Sequence, residues 1–174
     1  MDGRSVILVP VPDVDELVGD LREKYDSVAL LGVPAHITLL FPFLAPGSIT
    51  KDVLDELGAI FDEVSPISFS LTELGSFPNA IYLRPTPAEP LIALTKNIFS
   101  AFPEAPPYEG KFAEIIPHMT VAHLSEEQDS EAIEKEIAKS VSAKLPLNTE
   151  AKEAWLMIED AEGKWSILSK FSFS

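Results

Sequence analysis

The sequence predicts a bilobal, pseudo-symmetric α+β protein, and three observations lead to this fold class. Short stretches with the apolar alternation of strands are interleaved with stretches whose apolar residues recur every three or four positions, as on amphipathic helices. The order strand, helix, strand, helix, strand occurs twice, with one extra strand at the end. The central strand of each half carries the pattern H-x-T, at 36–38 and at 118–120. We therefore expect residues 1–174 to form a single domain of two intertwined lobes, each with one H-x-T motif.

The first half of the chain starts with a strand at "RSVILVPV" and continues with a helix that ends near Tyr25. Asp13 and Glu16 have the spacing of a capping box, which predicts that this helix begins at Asp13. The central strand is "AHITLLF". Thr50 then precedes a helix with one apolar face, and "PISFSLTELGSF" completes the half as a strand.

The second half repeats this order with "AIYLRP" as a strand, "EPLIALTKNIFSAF" as a helix and "PHMTVAHL" as the central strand. The proline-rich stretch "FPEAPPYEGKF" predicts a loop before that strand. An acidic helix ending near Val141 follows, and then a hairpin of "EAWLMIED" and "KWSILSKFSF" around "AEGK". Trp155 and Trp165 flank this turn, so we expect them to pair across the hairpin as packing residues.

The composition excludes several classes of site and partner. Cysteine is absent from the 174 residues, which rules out disulfides, thiolate catalysis and cysteine metal ligands. The 28 acidic residues outnumber the 13 lysines and arginines, and the net charge of -15 opposes binding of long nucleic acid. No stretch has the length of a membrane span or the pattern of a signal peptide. We expect a monomeric cytoplasmic protein whose ligand is small or short and carries phosphate.

The two H-x-T motifs predict a shared site. Side chains two apart in a strand point to the same face, so His36 lies with Thr38 and His118 lies with Thr120. If the two halves bring these faces together, two imidazoles and two hydroxyls line one cleft. One imidazole can accept a proton while the other, protonated, donates one. The threonine hydroxyls can hold phosphate oxygens, so the set is suited to cleaving a phosphodiester without a metal.

At these residues the chain resembles the 2H phosphoesterase superfamily, which includes 2'-5' RNA ligases and cyclic phosphodiesterases. The stretches "HITLLFPF" and "PHMTVA" are similar to the H-x-[ST]-x motifs of that superfamily. The resemblance implies two antiparallel-rich sheets that face a central cleft, with helices on the outside. It implies hydrolysis of a 2',3'-cyclic phosphate to a 2'-phosphomonoester, without a metal or other cofactor. The implied partner is a small nucleotide or a short RNA end carrying a cyclic phosphate.

The resemblance also suggests roles for the two histidines and threonines. It makes His118 the base and His36 the acid in ring opening, with Thr38 and Thr120 holding the phosphate. The residues themselves do not decide which histidine has which role. Ligation, the reverse reaction, would need no further groups.

Four residues outside the motifs are candidates for substrate binding. Lys111 lies in the loop before the second motif and Arg84 ends a strand, so either could neutralise a phosphate; the alternative is a plain surface charge. Tyr108 and Phe112 could stack on a nucleobase, because aromatic rings accept the face of any base. They could equally hold the proline-rich loop in place.

Strand parity also assigns His123 and Phe41. His123 follows His118 by five residues, an odd spacing that places it on the opposite face of a regular strand. We expect it to be a structural residue at the strand end, unable to share a metal with His118; a peripheral contact to phosphate is the other interpretation. By the same parity, Phe41 should lie in the core under the helices.

Two other functions use the same residues. A binding module could sense a nucleotide without turnover, although two intact motifs argue against it. A metal-dependent hydrolase could use the histidines as ligands. Assay of 2',3'-cyclic nucleotides in the presence of a chelator separates these two from metal-independent hydrolysis.

Overall fold

The structure, a computed structural model, describes residues 3–174. The strands are β1 Ser5–Pro10, β2 His36–Leu40, β3 Ile67–Phe77, β4 Ala80–Thr86, β5 Met119–His123, β6 Leu147–Ala151, β7 Glu153–Glu159 and β8 Trp165–Ser172. The α-helices are α1 Asp15–Tyr25, α2 Ser27–Leu30, α3 Lys51–Asp62, α4 Glu89–Ala101 and α5 Ser130–Val141. Short 3₁₀ helices occur at Pro12–Val14, Pro46–Ser48, Pro107–Gly110 and Ser142–Lys144.

The eight strands of residues 3–174 form one antiparallel sheet in the order β6-β3-β4-β5-β2-β1-β7-β8. The α+β, bilobal fold class is confirmed, with two four-stranded antiparallel halves that each contain one motif strand. The halves are joined edge to edge by pairing of β2 with β5 at Ile37 and Met119, so they form one curled sheet instead of two separate ones. Without this pairing, the backbone N–H and C=O groups along the facing edges of β2 and β5 would lack hydrogen-bond partners in the sheet.

The longer helices pack on one face of the sheet around a shared apolar core. Fully buried members of that core come from the strands and the helices, among them Ile7, Ile37, Met119, Phe61 and Ile98. Helix α1 contacts β5, whereas α4 contacts β2, so helices of each half of the sequence cover a strand of the other half. Within residues 3–174, no helix is long and apolar enough to cross a membrane.

Some of the expected elements differ in detail. Helix α1 begins at Asp15, after the 3₁₀ turn, and has no side-chain cap; the prediction of a cap at Asp13 was wrong. The Asp13 carboxylate instead accepts a hydrogen bond from Thr149 Oγ1 at 2.6 Å, which draws it away from the helix. Thr50 does cap α3, because its hydroxyl accepts from the Val53 backbone N–H at 3.4 Å.

The short elements α2 and β6 were not predicted. Strand β6 lies at an edge of the sheet, and Leu147 and Ala151 are the only apolar residues of "LNTEA", so its apolar alternation is too weak to mark it as a strand. Helix α2 has only four residues, too few to show a helical period.

The expected pairing of the two tryptophans was wrong. Trp155 is opposite Lys170, whose Nζ lies 4.5 Å from the centroid of the indole ring, and Trp165 is opposite Glu159. Trp165 is the first residue of β8 and faces the last residue of β7, whereas Trp155 lies earlier in β7 and beyond a register shift. The two tryptophans are therefore at different positions along the hairpin. Trp165 packs instead against Phe41, with ring centroids 6.3 Å apart.

Candidate active site

The site forms where the two halves of the sheet meet. Ile37 and Met119 are partners in the antiparallel pair of β2 and β5, and both are fully buried on the helix side. The antiparallel register therefore places His36 opposite Thr120 and Thr38 opposite His118. All four side chains are half-buried and lie on the same face of the sheet, which we call the motif face.

A β-bulge follows each motif. Leu8 of β1 is the partner of Thr38 and Ile7 is the partner of Leu40, so Leu39 is an extra residue in β2. The second motif repeats this arrangement: Tyr82 is the partner of Thr120, Ile81 is the partner of Ala122, and Val121 is extra in β5. Beyond each bulge the alternation of side chains is reversed.

The bulge in β5 overturns the assignment of His123. Ala80 is opposite His123 and Tyr82 is opposite Thr120, and these two residues of β4 are two apart, so His123 shares the motif face with Thr120. Its placement on the face opposite His118 was therefore wrong.

The bulge in β2 overturns the assignment of Phe41 in the same way. Phe41 packs in a second apolar cluster with Leu8, which lies on the motif face, and with Trp165. It is therefore not part of the core under the helices. The guanidinium of Arg4 lies 5.4 Å from the centroid of the Phe41 ring.

The two motif histidines have matching hydrogen bonds. His36 Nδ1 donates to the Pro34 carbonyl at 2.8 Å, and His118 Nδ1 donates to the Ile116 carbonyl at 2.7 Å. A carbonyl oxygen can only accept, so Nδ1 carries the hydrogen in both rings. Nε2 is then the nitrogen at which each neutral ring can accept a proton.

Both histidines are easier to deprotonate than free histidine. Burial lowers the pKa of His36 to about 4; the charge of Arg22 adds to this effect, while the hydrogen bond to Pro34 opposes it. Burial also lowers the pKa of His118, against the effect of its hydrogen bond to Ile116. Near neutral pH, the free site therefore holds two neutral imidazoles.

His118 lies among aromatic rings. The rings of Phe77 and Tyr82 stack at 4.6 Å, and both meet the imidazole of His118 edge to face, at 5.1 and 5.5 Å. A Cβ on Gly75 would lie 2.5 Å from the Tyr82 ring, so this position must lack a side chain for Tyr82 to lie across β3. Sequence patterns did not associate Phe77, Tyr82 or Gly75 with the motif.

A cavity of about 760 Å³ opens beside His118, within the size range of about 300–1,000 Å³ usual for small-molecule sites. From the motif strand and the residue before it, the cavity is lined by His118, Thr120 and His123. Tyr108 and Phe112 line it from the proline-rich loop, with their rings edge to face at 5.7 Å. Burial raises the pKa of Tyr108 to about 12, so its hydroxyl keeps its proton.

The two candidate cations lie at the surface, outside the cavity lining. Arg84 follows Leu83, the partner of Met119, so its backbone is opposite His118; its Nε lies 3.3 Å from a Glu73 oxygen. Lys111 pairs with Glu109 of its own loop at 2.6 Å. Exposed ion pairs contribute little free energy, so a phosphate can compete for either cation.

Asp26 forms a buried charged network that the sequence did not reveal. Its side chain is fully buried and accepts from Arg22 at 3.0 Å and from His123 Nδ1 at 2.8 Å. Burial alone would raise the pKa of Asp26, but the hydrogen bond from His123 and the charge of Arg22 lower it. Arg22 also donates to the Val33 carbonyl at 3.1 Å, so the network joins α1, the segment before β2 and the end of β5.

One signal in the sequence could have located His123 on the motif face. Two apolar residues in succession follow each threonine, Leu39 with Leu40 and Val121 with Ala122, and all four are buried. A regular strand would expose one of each pair on the other face, so such doublets indicate a bulge.

In the part of the chain that the structure describes, no group of three or more histidine, aspartate or glutamate side chains could hold a metal ion.

Comparison with known proteins identifies the family and the fold of the chain. Residues 10–163 match the family model of the 2'-5' RNA ligase superfamily. Two relatives bear the name "Putative phosphoesterase". The protein from Bacillus licheniformis is 29% identical and aligns over 74% of this chain and 76% of its own. The protein from Bacillus pumilus is 30% identical, over 74% and 75%.

Solved structures share the fold at lower identity. The crystal structure of TT0787 from Thermus thermophilus has a TM-score of 0.68 at 20% identity and covers 98% of this chain and 97% of its own. Escherichia coli LigT complexed with 3'-AMP has a TM-score of 0.62 at 15% identity, covering 99% and 98%. The solved structures show that the chain shares their fold, and the family-model match over residues 10–163 shows that it belongs to the 2'-5' RNA ligase superfamily of 2H phosphoesterases.

Proposed function

We propose that this protein is a metal-independent phosphodiesterase that opens a 2',3'-cyclic phosphate by general acid and general base catalysis. Membership in a superfamily of phosphoesterases supports a phosphoesterase activity. The observation that carries the proposal is the placement of two His-Thr pairs on adjacent antiparallel strands, on one face, with matching Nδ1 hydrogen bonds. The substrate is a small nucleotide or a short RNA end.

In this reaction a water oxygen forms a bond to phosphorus while Nε2 of one histidine takes the water proton. The bond from phosphorus to one ribose oxygen breaks, and the other histidine donates its Nε2 proton to that oxygen. The product is a phosphomonoester; the base has gained a proton from water, and the acid has lost the proton that is now on the ribose oxygen. Family resemblance favours His118 as base and His36 as acid, with a 2'-phosphate as product.

The threonines and the bound phosphate complete the chemistry. Thr38 and Thr120 donate hydrogen bonds to the non-bridging phosphate oxygens, where charge increases in the transition state. The acid must be protonated although both histidines have lowered pKa values. A bound phosphate anion supplies the negative charge that favours the imidazolium form.

The cavity beside His118 receives the nucleoside. Tyr108 and Phe112 contact the base from the loop, and Arg84 and Lys111 neutralise phosphate at the surface. LigT, a protein of the same fold, has been crystallised with 3'-AMP, NADP+ and ATP, which supports a nucleotide as ligand. The ion pairs of Arg84 and Lys111 must open for these contacts to form.

The test is hydrolysis of 2',3'-cyclic nucleotides with a chelator present. We expect turnover by the native protein and a loss of at least roughly a hundredfold in kcat for His36→Ala and for His118→Ala. Lys135→Ala, on the exposed surface of α5, is the control and should retain the native rate. A near-native rate in either histidine variant would refute the two-histidine mechanism.

The same assay separates the other candidate functions. Turnover that appears only when a divalent metal is added back would favour a metal-dependent hydrolase. Saturable nucleotide binding without turnover, under all of these conditions, would favour a binding module.

A further inference from the structure

Thr95 is a polar residue in the buried stripe of α4. The buried positions of this helix are 91, 94, 95 and 98, which lie on one helical face, and the other three are leucine or isoleucine. The side chain of Thr95 is as inaccessible as theirs, since the residue is 2% exposed. Burying a hydroxyl costs free energy unless it forms a hydrogen bond, so a threonine at this position needs a partner.

The partner of Thr95 belongs to the first motif strand. Thr95 Oγ1 donates a hydrogen bond of 2.8 Å to the carbonyl of Leu39, the residue directly after Thr38. Leu39 is the extra residue of the bulge in β2 and has no partner in the registers of β2 with β1 or with β5. Its buried carbonyl therefore needs a donor from outside the sheet, and the hydroxyl of α4 supplies it. A threonine inside a helix can instead bond to the carbonyl four residues earlier, which Thr95 does not do.

This hydrogen bond connects the two halves of the sequence. Helix α4 belongs to the second half, and β2 is the motif strand of the first half. A second contact connects the halves in the opposite sense: Asp26, which follows α1, accepts from His123, two residues after the bulge at Val121 in β5. Each motif strand is therefore bonded, just beyond its threonine, to a buried polar side chain of the other half.

We propose that Thr95 is a positioning residue of the site, which holds the bulge of β2 through the Leu39 carbonyl and thereby fixes the direction of the Thr38 hydroxyl. The inference rests on the proposed function for the catalytic role of Thr38. Without the hydroxyl of Thr95, the buried Leu39 carbonyl gains a new partner only if its peptide plane rotates, and this rotation moves the backbone beside Thr38. A displacement of about 1 Å is enough to weaken a donor that must meet the phosphate oxygens in the transition state.

The first test measures hydrolysis of a 2',3'-cyclic mononucleotide by Thr95→Val, which keeps the shape of the side chain and removes its hydroxyl. We expect kcat to fall roughly tenfold while KM stays within about twofold of the native value. Thr95→Ser restores the hydroxyl, so its kcat should lie within about twofold of native. Ser5→Ala is the matched control, because Ser5 is also fully buried and donates to a carbonyl, that of Leu44, outside the motif. It should retain the native kcat.

A double-mutant cycle tests whether Thr95 acts through Thr38. In a Thr38→Val protein the hydroxyl that Thr95 positions is absent, so adding Thr95→Val should lower kcat by less than about twofold. A loss of roughly tenfold in that background would overturn the proposal, because independent sites have additive effects. A native kcat in Thr95→Val itself would also overturn it.

Amide hydrogen exchange distinguishes failure of this inference from failure of the proposed function, because it needs no turnover. Thr95→Val should increase exchange of the β2 amides at least roughly tenfold more than exchange of the β7 amides, since β2 loses a local restraint. Equal increases in the two strands, or no increase in β2, would contradict the proposal even in an active enzyme. The larger increase in β2 would support it even in a protein that hydrolyses no cyclic nucleotide.

Discussion

At the scale of single residues, His36 and His118 are alike in hydrogen bonding and alike in being partly withdrawn from solvent. Each ring is fixed by the carbonyl two residues before it, and each has a lowered pKa because burial disfavours the imidazolium. The alternation of side chains in a strand was enough to predict that each histidine shares a face with its threonine. It could not predict the burial that sets the proton affinity, because burial depends on the segments that cover the sheet.

These pKa values predict the pH dependence of the proposed two-histidine reaction. The base is active above its pKa and the acid is active below its pKa, and both values lie below that of free histidine. We therefore expect kcat/KM for a cyclic nucleotide to be greatest below about pH 6.5 and to fall as the pH rises toward about 8. The expectation holds whichever histidine is the acid. A series of initial rates from about pH 4 to about pH 9 measures it, and a maximum above neutrality would contradict it.

At the scale of elements, the paired bulges in β2 and β5 determine which side chains reach the site. Strand parity was correct as far as Leu39 and Val121, which lie in the core under the helices, and failed beyond the bulges, at Phe41 and His123. A bulge depends on how two strands pair, and pairing is not visible in one strand's sequence. The two successive apolar residues after each threonine were the only local sign of the bulges in the sequence.

The segment before β2 depends on the buried Asp26. Its carboxylate accepts hydrogen bonds from Arg22 of α1 and His123 of β5. Replacing Asp26 by asparagine therefore leaves the buried guanidinium of Arg22 without its counter-ion. We expect Asp26→Asn to lower the free energy of unfolding by about 3 kcal/mol, as for other broken buried ion pairs. Unfolding in urea gives this quantity.

The matched control for this change is His123→Asn. The His123 side chain is 45% exposed and its loss leaves the pair of Arg22 and Asp26 in place, so we expect a cost below about 1 kcal/mol. If Asp26→Asn and His123→Asn lower the free energy of unfolding equally, the ion pair of Arg22 and Asp26 does not stabilise the segment before β2.

At the scale of the whole molecule, the net charge of -15 acts on every anionic ligand before it reaches the site. A cyclic mononucleotide carries one phosphate charge, whereas an oligonucleotide with the same end carries one for each linkage. The repulsion is therefore larger for the longer substrate, and salt screens it.

We expect kcat/KM for an oligonucleotide ending in a cyclic phosphate to increase as NaCl is raised from about 10 to about 150 mM. The value for the mononucleotide should change less. Rate measurements on both substrates over this range provide the comparison. A decrease in kcat/KM for the oligonucleotide would contradict this expectation. It would show that a basic patch on the protein binds the oligonucleotide and displaces its counter-ions.

The doubling of the chain was visible in its order of elements and its two motifs, but the crossing of helices between the halves was not. Which helix covers which strand is decided by packing of the assembled sheet, and the apolar residues of α1 and α4 do not by themselves indicate which strand each helix covers. The fold class therefore followed from patterns in the sequence, whereas the connections that bring the two motifs side by side did not.

That crossing has a consequence for how the chain could be divided. A nick in the turn between Phe77 and Ala80 would leave α1 on one fragment and its partner β5 on the other, and would likewise separate α4 from β2. Strand β1 would also lose β7, and β3 would lose both of its neighbours. Each fragment would contain one histidine and one threonine of the site, yet neither could bury its apolar surface alone. The two pieces would be complementary parts of one fold instead of two small proteins, and the site would form again only when they reassociate.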